Sequence, residues 1–111
     1  MITLIAVLAA AAQVGTADTG KDAIRISGVE QQRTIACEGR DVFVEGVDHA
    51  LTFTGACASL TLTGTDSTIV IGLKPGASVS VQGAGNTVRW RADREPRVRI
   101  SGVDNSVARQ P

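Results

Sequence analysis

The sequence predicts an all-β domain: a small parallel β-solenoid of about five coils, each of 18–19 residues and each carrying two short strands. Three observations predict it: the spacing of glycines, the alternation of apolar residues on either side of them, and the residue types that follow them. Gly28, Gly46, Gly64, Gly83 and Gly102 recur at steps of 18 or 19. Four residues before them stand Ile24, Val42, Leu60, Val79 and Val98, and two before stand Ile26, Val44, Leu62, Val81 and Ile100. A period of two is a strand with one buried face.

A second strand follows each glycine. Leu51, Ile69, Val88 and Val107 lie five residues after it, and Ile35, Phe53, Ile71 and Trp90 seven after. Between the strands the chain reads Gly46-Val47-Asp48-His49, Gly64-Thr65-Asp66-Ser67, Gly83-Ala84-Gly85-Asn86 and Gly102-Val103-Asp104-Asn105. Gly, Asp and Asn tolerate positive φ or hydrogen-bond their own backbone, so these are bends. A unit this short cannot bury its apolar face alone, and like coils must stack on one another. The outermost coils depart from the pattern: Arg33 and Arg109 occupy phases that are apolar elsewhere, and Pro111 cannot donate to a ladder.

Aromatic residues are 3% of the chain, so the core must be built from Val, Ile, Leu and Ala. Eleven basic residues balance eleven acidic ones, which argues against nucleic acid as a partner, because that role needs a cationic excess. Met1 to Ala12 is free of charge and ends in an alanine run, and small residues Gly15-Thr16-Ala17 precede Asp18. Residues 1–17 are therefore expected to be an export signal, too short to span a membrane, and residues 18–111 the solenoid. Export to a secreted or periplasmic location places the two cysteines in an oxidising compartment. Cys37 and Cys57 fall in neighbouring coils at nearly the same phase, which predicts a disulfide between coils.

The segments Ile35-Ala36-Cys37, Val42-Phe43-Val44-Glu45-Gly46, Gly55-Ala56-Cys57 and Val79-Ser80-Val81-Gln82-Gly83-Ala84-Gly85-Asn86-Thr87-Val88-Arg89-Trp90 together resemble one bacterial family. It is the exported "domain of unknown function three thousand and sixty" family, and the resemblance runs over residues 24 to 109. It implies secreted or lipid-anchored proteins with repeated short strands and no assigned activity. The chain departs from the family's commoner glycine-asparagine bend at Asp48-His49 and Asp66-Ser67, and it shows no lipobox cysteine.

Stacking brings Glu30, Asp48 and Asp66 into one column, with Asp104 further along. Asp48 and Asp66 are the residues that a calcium ion or a pair of glycosidase carboxylates would use. Turn chemistry accounts for the same residues, and no metal or cofactor is expected. His49, the single histidine, stands at the bend phase held by Ser67, Asn86 and Asn105, and reads as a turn residue. No Gly-x-Ser-x-Gly elbow accompanies it. Thr52, Thr54, Thr61 and Thr63 suggest an ice-binding array, but the outward columns are not uniform. Arg89, Arg91, Arg97 and Arg99 gather cationic charge in the late coils and form the candidate anion-binding face. The expected function is an exported, non-enzymatic structural or binding module of the bacterial envelope. Its expected partner is an anionic envelope polymer or an acidic protein. The alternatives are a carbohydrate-active enzyme of β-helix type and a calcium-dependent adhesion module.

Overall fold

The computed structural model describes residues 14–19 by their backbone and residues 23–110 in full. The helices and strands among these residues are all strands: β1 (Val14–Thr19), β2 (Ala23–Val29), β3 (Gln32–Ala36), β4 (Asp41–Val47), β5 (Ala50–Thr65), β6 (Thr68–Ala84), β7 (Thr87–Arg91), β8 (Arg97–Val103) and β9 (Ser106–Arg109). Every pairing but one is parallel. One ladder runs from β2 through β4, the second half of β5 and the second half of β6 to β8. The other runs from β3 through the first halves of β5 and β6 to β7 and β9. Each coil supplies one strand to each ladder, as the glycine spacing predicts.

Two short strands per coil hold at the ends of the stack, but β5 and β6 each run unbroken from the second strand of one coil into the first strand of the next. The corner there keeps pairing because Cys57 aligns with Leu73, while register shifts on either side absorb chain that bulges outward. Gly55-Ala56 is extra in one coil and Lys74-Pro75-Gly76 in the next, and Gly55 and Gly76 both turn with φ of 84°.

The core is the inside of the stack. Ile24, Val42, Leu60 and Val79 align one above another, as do Ile26, Val44, Leu62 and Val81. Leu51, Ile69 and Val88, with Phe53, Ile71 and Trp90, close it from the second ladder. All are buried. Alternate residues point out, so a slip of one would expose the whole set.

The bends are tighter than ordinary turns. Gly83 turns with φ of 127°, and a Cβ there would strike the carbonyl oxygen of Gly64 one coil back. The next residue but one is left-handed in every coil: Glu30, Asp48, Asp66 and Asp104 have φ of 53°, 58°, 55° and 55°, and Gly85 fills the place in the fourth with 68°. The residue after that turns inward. Gln31 N–H donates to Nδ1 of His49 (3.2 Å), His49 N–H to Oγ of Ser67 (3.4 Å), Ser67 N–H to Oδ1 of Asn86 (3.1 Å), and Asn86 N–H to Oδ1 of Asn105 (3.0 Å). Gln31, His49, Ser67 and Asn86 are buried, so this is a polar ladder within the stack. The bend phase read from the sequence is right for His49, and its inward direction is the addition.

The end coils are irregular, as expected. Arg33 is exposed and its Nε donates to Oε1 of Gln31 (3.2 Å). Arg109 lies over the Trp90 ring, 4.8 Å from its centre, capping the core. At the other end β1 folds back antiparallel on β2, from Val14 opposite Val29 to Thr19 opposite Ile24. Of the expected export segment, residues 1–13 lie outside the described residues and residues 14–17 are backbone of β1. Cys37 and Cys57 form the expected disulfide, with Cα atoms 5.1 Å apart, and both are buried.

Two outcomes follow for stability. His49→Asn keeps an acceptor for the Gln31 N–H, as Asn86 and Asn105 do in their coils, whereas His49→Leu leaves that buried donor empty. Chemical denaturation is expected to show the leucine variant less stable than the asparagine variant by about 1–3 kcal/mol. Replacing both cysteines by alanine opens a cross-link between residues 20 apart, and the same measurement is expected to show a loss of about 2–5 kcal/mol.

Candidate functional site

The acidic column lies along the outer edge of the bends. Asp48 and Asp66 are exposed and use their backbone N–H groups to bind the next coil, at Thr65 O (3.0 Å) and Ala84 O (2.9 Å). Their left-handed φ is what a turn asks of an Asp, and the Asp66 carboxylate lies against Gly85, where a Cβ would come within 2.5 Å of Oδ1. Among the described residues no three His, Cys, Asp or Glu side chains are grouped closely enough to hold a metal ion. The His49 ring is committed to the ladder: Nδ1 accepts from Gln31, and Nε2 lies 2.8 Å from the carbonyl of Glu45, to which it donates in the tautomer that leaves Nδ1 free to accept. It is buried.

The four late arginines are all exposed, and they divide between the two ladders. Arg89 and Arg91 stand on β7, aligned with Val70 and Gly72 of the preceding coil. Arg97 and Arg99 stand on β8, aligned with Ser78 and Ser80. Among the described residues none of the four is held in an ion pair; the one ion pair there joins Arg40 to Glu38 at 3.6 Å. The guanidinium groups are therefore left to solvent.

Sequence reasoning did not find the concave surface beside Arg91. A groove of about 560 Å³ crosses three coils and is lined by Thr52, Thr54, Gly72, Lys74, Arg91 and Asp93, among others. Its wall is the outward bulge at the corners. Lys74-Pro75-Gly76 stands out because it has no counterpart in the coil before, and the carbonyl oxygen of Gly55 fills the place that a Cβ on Gly72 would take. Two cations, one carboxylate and two hydroxyls thus line one depression. The signal was available as a turn tripeptide interrupting the repeat between Leu73 and Ala77, although its effect on an adjacent coil is not written in any local pattern.

Among the described residues no helix is long and apolar enough to cross a membrane. No curated protein and no solved structure matches this chain. The resemblance read from the residues is borne out: residues 44–93, from β4 through the turn after β7, match the family described as "Protein of unknown function (DUF3060)", a shorter stretch than residues 24 to 109; it lies within the parallel β-solenoid, and its Cys57 is joined to Cys37, which stands before it.

Proposed function

We infer that the protein is an exported, non-enzymatic binding module of the bacterial envelope, and that its ligand is an anionic envelope polymer held along the β7 side of the stack. The observation that carries this reading is the groove beside β7, which Lys74 and Arg91 line together with Thr52 and Thr54, while Arg89 stands two residues before Arg91 on the same strand. Guanidinium and ammonium groups that form no ion pair among the described residues bind carboxylate or phosphate groups of a ligand, and the hydroxyls and the Asp93 carboxylate hydrogen-bond neutral parts of the same chain. An open groove crossing successive coils suits a long ligand better than a small one, because its repeat can register with the repeat of the stack. The disulfide supports residence in an oxidising compartment, secreted or periplasmic. No observation favours a carbohydrate-active enzyme over this reading, since the exposed acidic residues at the bends are accounted for as turn residues and the one histidine is accounted for by the ladder.

Binding to anionic polysaccharide and cell-wall preparations across a salt series tests this reading. The expected result is affinity that falls as salt rises, and a further loss of about tenfold when Arg89→Ser and Arg91→Ser are combined. Binding that responds to neither salt nor the double change would contradict it.

A further inference from the structure

The two end coils carry the same strand. β2 reads Ala23-Ile24-Arg25-Ile26-Ser27-Gly28-Val29 and β8 reads Arg97-Val98-Arg99-Ile100-Ser101-Gly102-Val103, identical over the last five positions. Their surroundings differ. β2 is paired on both edges, by β1 and by β4, and its inward Ile24 and Ile26 are 0% and 1% exposed. β8 is paired by β6 on one edge, and among the described residues nothing pairs with the other. Its inward Val98 and Ile100 are 42% and 46% exposed, and a depression of about 530 Å³ opens beside Val98, Val107, Trp90 and Arg109.

The open edge of β8 corresponds to the edge of β2 that receives β4. Coil after coil, the bend N–H donates forward to the next strand: Glu30 to Val47 O (2.9 Å), Asp48 to Thr65 O, Asp66 to Ala84 O, and Gly85 to Val103 O (3.0 Å). Asp104 holds the same place in the last coil, and its N–H meets no acceptor among the described residues. The edge is thus a formed template for one more parallel strand.

What this template accepts is shown by β4, which the same five-residue sequence accepts in the first coil. β4 reads Asp41-Val42-Phe43-Val44-Glu45-Gly46-Val47. It places Val42 and Val44 on Ile24 and Ile26, and Phe43 opposite Arg25, whose guanidinium lies 4.7 Å from the ring centre. Carried onto β8, that pattern sets apolar residues on Val98 and Ile100, an aromatic ring under Arg99, and an acidic residue opposite Arg97. The last pair gains charge complementarity, because Ala23 stands in the place of Arg97 in the first coil. We propose that the outer edge of β8 is a docking site for an extended segment of a partner protein, which adds as a parallel strand with apolar residues alternating with an aromatic and acidic residues. A second copy of this chain fits less well. Stacking its first coil on β8 would set Arg25 beside Arg99, like charge on like charge. This site uses β8 and not the β7 groove, so it stands or falls apart from the proposed polymer binding.

The test uses the chain as described with a capped synthetic peptide of the sequence of residues 41–47 as the probe, read by fluorescence of Trp90, the single tryptophan, and by amide protection of β8. The expected result is saturable binding, new protection of the Asp104 N–H, and a weakening of at least about tenfold both for Arg99→Glu and for a peptide with lysine in place of its two acidic residues. Proline in place of the second valine of the peptide is expected to abolish binding, while Arg89→Ser with Arg91→Ser leaves it unchanged. The lysine and proline peptides are read against unaltered protein, so the outcome stands even if Arg99→Glu does not fold. Absence of saturable binding, equal binding of the proline peptide, or protection that appears on β7 instead of β8 would overturn the proposal.

Discussion

Every coil is fastened to the next at the bend, and the rest of the structure depends on that fastening. A backbone N–H that would otherwise be buried without a partner is taken by the side chain of the coil above, through His49, Ser67, Asn86 and Asn105 in turn. Burying such a donor unpaired costs about 1–3 kcal/mol, so the ladder fixes which residue lies over which. The glycine column permits it. With any side chain at Gly83 the coils could not approach closely enough for Asn86 to reach both the Ser67 N–H and the carbonyl of Gly64, to which its amide donates at 2.9 Å. Once the bends are in register, the two ladders follow, and the apolar columns align because they are counted from the same glycines.

Much of this was legible in the sequence, since a solenoid writes its architecture as a period. The inward columns from Ile24 to Val79 and from Leu51 to Val88 needed only the glycine count and an alternation of two. The pairing of Cys37 with Cys57 followed from phase, although their offsets from the preceding glycines differ; the Gly55-Ala56 bulge is what brings them together. The inward turn of the polar bend residues was not legible. A histidine, a serine and two asparagines after a glycine fit an outward turn equally well, and the direction is decided by the left-handed residue before each of them. The columns of stacked amide side chains seen in other parallel, in-register sheets are the closest physical precedent.

The surface was harder to read than the core for a similar reason. Charge could be counted along the chain, and the late arginines stood out. How they divide between faces depends on which ladder each strand joins, and that places Arg89 and Arg91 apart from Arg97 and Arg99. The groove at Lys74 and Arg91 arises from a mismatch between neighbouring coils, a relation that no single repeat contains. Among the described residues the stack also has unlike ends: β1 pairs with the β2 edge, while the apolar positions of β8 are open. A fold whose every coil is a template for the next has its most specific surfaces where the repeat is interrupted or exposed.

Native-state amide hydrogen exchange tests the stacking account most directly. The account predicts that the ladder N–H groups of Gln31, His49, Ser67 and Asn86 exchange only with unfolding of the stack, while the N–H of Asn105, with no coil above it among the described residues, exchanges quickly. Exchange at Asn86 as fast as at Asn105 would contradict it, because the bend N–H would then be open to water and the side-chain ladder would not be what holds one coil on the next.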